Sequence, residues 1–351
     1  MLGLFFIAML GSDAPAAPPA AAQPSGQAIF DAASKARDDG KYGESVRLFE
    51  TLEARPAIAR NPTVMGTILI RKGLALCELD RLAAAEAALT KGLKLAPGDS
   101  PNLQTDMMLG HLDLARIAML QLDYPQAANE ARLAEAFAHD NIGRIRTQMT
   151  LARATMFDED GKAIQYADTA LALAAATPDA TKAFLADIRT LHARIWLIHG
   201  HKRVAYADYK KALSEQGGLR LRVSLFDVAT RSDLAIAALL NGDQDSAREY
   251  MAYTGAGRLE KAPFSTAVSM SPPPCGGPAD LRPDDNAVVE FSIRDDGSVA
   301  YAAPVYVSRP GPAALEFARA VTNWSWRSED VAKIPAFYRL ATRVELRCST
   351  T

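Results

Sequence analysis

Five histidines and three cysteines are the residues of this 351-residue chain best suited to metal binding or covalent chemistry. The histidines are His111, His139, His192, His199 and His201. His199 and His201 flank a glycine at a turn, and His192 lies two helical turns before His199. A metal site there needs another ligand and an enforced geometry, so these read as solvated turn residues. The run FDEDGK, from Phe157 to Lys162, clusters carboxylates, but its glycine falls too early for a calcium loop. It reads as a solvated turn. Cys77 sits on an apolar helical face and reads as a buried structural thiol. The chain has no Gly-x-x-x-x-Gly-Lys loop, no Gly-x-Gly-x-x-Gly after a strand and no Gly-x-Ser-x-Gly elbow. Nucleotide binding and serine hydrolysis therefore lack their signatures. No catalytic residue, metal or cofactor is expected, and the chain reads as a non-enzyme.

The elements that would position any site fall into segments of different composition. The chain is 49% hydrophobic and 23% charged, which is ordinary for a globular protein with room for two domains. A net charge of -2 offers no concentrated basic face for nucleic acid. Residues Leu2 to Leu10 are almost wholly apolar, too short a run to span a bilayer as a helix, and small residues and prolines follow. Residues 1–25 therefore read as a signal peptide and low-complexity segment, with processing between about Ala16 and Ala28 and no transmembrane span in the mature chain. That places the protein in the periplasm, with membrane association as a variant.

From residue 26 to 262 one pattern recurs six times. A helix with a small residue near its middle is followed by a turn and a second helix with small-x-x-x-large-x-x-small spacing. The second-helix positions are Ser45/Phe49/Leu52, Ala85/Leu89/Gly92, Ala127/Ala131/Ala134, Ala167/Leu171/Ala174, Ala205/Tyr209/Ala212 and Ala247/Met251/Thr254. The first-helix positions are Ala33, Gly73, Ala115, Thr155, Ala193 and Ala235. Small side chains let helix axes approach, and the larger one fills the groove between them. Successive pairs must stack to bury their faces. The pattern resembles tetratricopeptide repeats, best in GLALCELDRLAAAEAALTKGLKLAP (73–97) and ARIWLIHGHKRVAYADYKKAL (193–213). The steps between repeats run 38–42 residues here, longer than the family's period of about 34. The resemblance implies a groove along the first helices and carries groove positions onto Arg37, Arg116 and Arg194, beside Leu112 and Met119. Arginines there would suit carboxylates, which the guanidinium fork grips with two hydrogen bonds.

Residues 263–282 are rich in proline and glycine and read as a linker. Residues 283–351 change period. Val289, Phe291 and Ile293 alternate with Val288, Glu290, Ser292 and Arg294, an Asp295-Asp296-Gly297 turn follows, and a second strand spans about Val299 to Val307. A helix runs through Trp324, and AFYRLATRVELRC closes as a third strand. The fold class is thus α+β, an all-α tetratricopeptide-like solenoid followed by a small hairpin–helix–strand unit. Cys275 and Cys348 bracket this unit, whose core is small, and are expected to form a disulfide that leaves Cys77 free. The order of elements resembles the C-terminal domain of TonB-family proteins, with Ala320-Val321, Trp324 and Trp326 matching the family's helix end. Trp196, Trp324 and Trp326 read as packing residues; Trp324 and Trp326 cannot share one helix face, so the alternative is that one of the two is exposed and contacts a partner. Together the two resemblances imply an exported interaction scaffold of the cell envelope. Its partners would be proteins or peptides, an envelope or outer-membrane protein among them. A TonB-type energy transducer is the alternative, and an envelope enzyme with its site in the groove a more distant one.

Overall fold

The computed structural model describes residues 24–98, 101–178, 180–221, 224–255 and 267–350. The apolar N-terminal stretch expected to direct export lies outside the described residues. Among the described residues twelve long helices form six antiparallel pairs: α1 (Gly26–Asp38) with α2 (Tyr42–Glu53), α4 (Pro62–Glu78) with α5 (Leu82–Leu95), α6 (Gln104–Leu120) with α7 (Tyr124–Glu135), α8 (Asn141–Ala154) with α9 (Lys162–Ala175), α10 (Lys182–Ile198) with α11 (Lys202–Glu215), and α12 (Leu225–Leu240) with α13 (Gln244–Ala252). A single turn, α3 (Pro56–Ala59), joins the first two pairs. Side-chain caps start many of these helices. Ser25, Asn61, Asp123, Asp140, Thr181 and Asp243 each accept a hydrogen bond from a first-turn backbone N–H, and Ser224 with Asp227 forms a reciprocal capping box.

Most turns inside the pairs use one device. In five pairs a residue with left-handed φ follows the first helix, Gly40, Asp80, Leu122, Gly200 and Gly242, while in the fourth pair Gly161 takes that conformation as the cap of α9. In those five turns the next N–H bonds back to a carbonyl inside the helix: Lys41 to Ala36, Arg81 to Leu76, Asp123 to Ala118, His201 to Trp196 and Asp243 to Ala238. This is the Schellman closure, which satisfies carbonyls that the helix end would otherwise strand.

The small-residue positions are the close crossings. Ala33, Ala85, Ala115, Ala127, Ala131, Ala134, Ala193, Ala205 and Ala212 are buried with no exposed surface. A Cβ placed on Gly92 would come within 2.8 Å of the Ile70 backbone nitrogen on α4, closer than packed atoms approach. Two filler positions shift by one residue. Ala170 rather than Leu171 is fully buried in α9, and Tyr250 fills α13 while Met251 is exposed. First helices touch the next first helices along the stack, α4 to α6 to α8 to α10 to α12. They therefore form the inner side of the solenoid.

The C-terminal unit sits on that inner side. Strands β2 (Asn286–Ile293), β3 (Val299–Val307) and β5 (Thr342–Arg347) make an antiparallel sheet in the order β3-β2-β5, with Val289 opposite Pro304 on one flank and Val344 on the other. Helix α14 (Ala313–Thr322) packs on β2 and β3. Alternation places Ala287, Val289, Phe291 and Ile293 in the core. A second, two-stranded sheet pairs β1 (Ala267–Ser269) with β4 (Ser325–Trp326), and single turns α15 (Ser328–Val331) and α16 (Ala336–Arg339) precede β5. Residues 336–341, expected as the start of a strand, are thus a helical turn followed by Ala341 with left-handed φ.

Much of the segment expected as a linker is bonded into the unit. The Cys275 N–H donates to Ser349, Ser349 donates to Pro273, and Leu281 is buried. Cys275 and Cys348 form the expected disulfide, with Cα atoms 4.9 Å apart, and Cys77 is free and buried.

Strand β3 lies against α10 and α6. One apolar cluster runs from Ile145, Met149, Ile188 and Ile195 of the solenoid into Val289, Phe291, Phe317 and Trp326 of the unit. The Gly311 N–H donates to the Phe157 carbonyl at 2.7 Å, which ties the loop before α14 to the fourth helix pair.

Candidate functional site

The open part of the inner face is a groove of about 740 Å³, lined by side chains from α1, α4, α6, α8 and α10. Its apolar wall includes Leu74, Leu112, Met119, Met149 and Phe184. Four arginines stand in it: Arg37 of α1, Arg116 of α6, and Arg146 and Arg153 of α8. Helical periodicity gives the arrangement. Arg146 and Arg153 are seven residues apart, two turns on one helix face.

The four differ in commitment. Arg37 reaches Asp106 and Asp38, each at 3.5 Å, while Arg71 holds the same Asp106 at 2.7 Å. Arg116 bonds Asp113 at 3.3 Å and the Cys77 carbonyl at 3.4 Å. Arg153 faces Asp187 at 3.7 Å. Arg146 is exposed, and its guanidinium has no ion-pair or hydrogen-bond partner among the described residues. Burial lifts the Asp113 carboxyl above the usual carboxylate range, and the Arg116 guanidinium only partly offsets it. Burial, with Asp113 beside it, pushes the Cys77 thiol up to about 12, so the thiolate needed for reaction is scarce near neutrality.

The sequence-derived site residues divide into three groups. Arg37 and Arg116, with Leu112 and Met119, line the groove together. Arg194 does not join them. Its half-buried guanidinium bonds Asp233 of α12 at 2.8 Å, beside the sheet. Asp233, 2% exposed, also pairs with Arg343 of β5, and Arg343 pairs with Glu290 of β2 at 2.8 Å. Burial works against the Asp233 charge, but the two guanidiniums outweigh it and hold the carboxyl below its ordinary value. The tryptophans form the third group, and the alternative that one of them is exposed is corrected. Trp324 and Trp326 are both buried, because α14 ends at Thr322 and the chain continues extended. Both rings pack on Phe291, and Trp324 Nε1 donates to the Ser271 carbonyl at 3.1 Å.

Arg146 and Arg153 were missed by the sequence reading, although their spacing of seven on a helix with apolar neighbours is a usable signal. Asp233 had none, since its partners lie 39 and 110 residues away. Among the described residues no group of three or more histidine, cysteine, aspartate or glutamate side chains is placed to hold a metal ion.

The fold and groove define a tetratricopeptide-like α-solenoid that carries a small antiparallel sheet on its inner side. No family model and no curated protein matches the chain. Among solved structures it is similar to the apo form of RapI, at 10% identity and a TM-score of 0.48 over 66% of this chain and 97% of that one. It is similar to BtubC (BKLC) from P. vanneervenii at 15% identity and 0.48, over 67% and 92% of the two chains. YrrB, described as a TPR protein with an unusual peptide-binding site, matches at 14% identity and 0.39, over 56% and 88%.

Proposed function

We propose that this chain is an exported protein-interaction scaffold of the cell envelope. Its groove takes an extended segment of a partner protein that carries carboxylates beside apolar side chains. The observation that carries this reading is the groove itself, with four arginines on an apolar wall and Arg146 unpaired within it. Guanidinium–carboxylate pairs supply charge-assisted hydrogen bonds, and the apolar wall supplies burial. The disulfide suits an oxidising compartment. The hairpin–helix–strand order supports the TonB-like reading of the C-terminal unit. Its groove-side placement favours a structural role over the transducer alternative.

Fluorescence polarisation against an array of acidic–apolar peptides tests the groove. Selected peptides should bind with salt-sensitive affinity, and Arg146→Glu should weaken them about 5- to 30-fold. Binding unchanged in an Arg116→Glu/Arg146→Glu double variant would refute this assignment. Membrane fractionation with N-terminal sequencing tests export. A soluble chain starting at or before Ser25, the cap of α1, is expected, whereas an intact apolar N-terminus in the membrane fraction would favour the transducer. No helix among the described residues is long and apolar enough to cross a membrane.

A further inference from the structure

His192 stands apart from the groove, on α10, with its side chain 8% exposed and more hydrogen-bond partners than one imidazole can serve in a single state. Its Nδ1 lies 2.7 Å from Asp208 of α11. Its Nε2 lies 2.8 Å from Asp168 of α9 and also 2.9 Å from the indole Nε1 of Trp196, one turn along α10. The indole N–H can only donate, so it needs a bare Nε2 lone pair. The Asp168 carboxylate can only accept, so it needs an Nε2 proton. The two bonds exclude each other, while the Asp208 bond serves both states by taking the Nδ1 proton. We propose that His192 is a proton-operated hydrogen-bond exchanger at the joint between the fourth and fifth helix pairs, passing Nε2 between Trp196 and Asp168.

In the neutral state Nε2 accepts from Trp196, and Asp168, 57% exposed, turns to water. When a solvent proton binds Nε2, that N–H donates to Asp168, and the indole N–H loses its acceptor. Protonation thus exchanges a bond within α10 for an ion pair between α9 and α10, drawing the two pairs together. The surroundings are set for this. Asp208 is steadied by Arg189 at 3.7 Å, and Arg189 is itself held by Glu215 at 3.1 Å. The Trp196 ring is flanked edge-on by His201, with centroids 4.5 Å apart, and packs against the same apolar cluster as Tyr306 of β3. Nearby charges on the other packed elements are bound elsewhere, Arg153 of α8 to Asp187 and Asp233 of α12 to Arg194 and Arg343. Burial disfavours the imidazolium, but bonds to Asp208 and Asp168 raise the ring above its ordinary value of 6.5.

Heteronuclear NMR of the full chain tests the exchange. The His192 ring carbons and the Trp196 indole N–H are followed from about pH 8 to 5, and Trp196→Phe assigns the indole. The Trp196 resonance should move in step with His192, with a midpoint above 6.5. Asp168→Asn should lower the midpoint and keep the indole bonded to lower pH. Trp196→Phe should raise it, because the neutral ring loses its donor. A Trp196 indole that stays fixed while His192 titrates, or a midpoint unmoved by both substitutions, would overturn the proposal.

Discussion

Gly297 closes the β2–β3 hairpin with a φ of 86°, and its carbonyl accepts from the Trp326 N–H at 2.9 Å. A Cβ there would fall 2.0 Å from the Trp326 carbonyl oxygen, a backbone atom with no freedom to swing aside. Gly297→Ala should therefore cost about 2–4 kcal/mol, measured by denaturant titration. A loss below about 1 kcal/mol would show that the turn and β4 can separate cheaply. The cysteines allow a second test at this scale. The Cys275–Cys348 bond closes a loop with a sequence separation of 73, worth about 4 kcal/mol in the chain-entropy limit. Denaturing, non-reducing thiol labelling should modify Cys77 alone. Three labelled thiols in protein isolated under oxidising conditions would rule the bond out.

Helix pairing depends on two local features with opposite responses to substitution. Asp80 occupies the turn position that Gly40, Gly200 and Gly242 fill elsewhere, with φ of 56° on an exposed side chain. Asp80→Gly should raise stability by about 0.5–1 kcal/mol, because relief of the left-handed strain outweighs the added chain entropy. No gain in thermal midpoint would mean that the carboxylate has a compensating role. Ala205 marks a close crossing with no exposed surface. Ala205→Trp should cost about 1–3 kcal/mol or more, while a Trp at exposed Gln244 should cost little. These features explain what was legible. The spacing of small residues is a local signal, so Ala205, Ala85 and Ala127 disclosed the crossings, and alternation at Val289 and Phe291 disclosed the sheet. The Trp324–Trp326 face was not legible, because it depends on α14 stopping at Thr322, and Asn323 is a weak stop signal. Arg37 and Arg116 emerged as groove residues from positions that the tetratricopeptide resemblance carries over, and both line the groove. Arg194 has a similar phase and a different fate, because its partners arrive from distant parts of the chain.

At the scale of the whole molecule, the sheet occupies one part of the inner face and leaves the arginine groove in another. Asp233 is the link, joining Arg194 of the solenoid to Arg343 of the sheet, with Glu290 beyond and the Tyr301 hydroxyl donating to Glu290 at 3.0 Å. Residues 26–262 and 283–351 as separable folding units are a proposal that this link qualifies. Fragments 24–255 and 267–351, expressed separately, should fold and then associate. Asp233→Ala should weaken that association strongly, since it strands the Arg194 guanidinium and leaves Arg343 to Glu290 alone, at a cost of about 3–5 kcal/mol. The pH dependence has a definite sign. Against burial, Arg194 and Arg343 hold Asp233 below its ordinary 3.8, and only the Arg343 pair forms on association, so that contribution is complete above the free fragment's value and is lost as pH falls through the lower value of the complex. Association followed by calorimetry should hold steady down to about pH 4 and then fall in acid. Asp233→Asn should remove that acid step. A wild-type affinity flat to about pH 3 would mean that the apolar cluster alone holds the sheet in place.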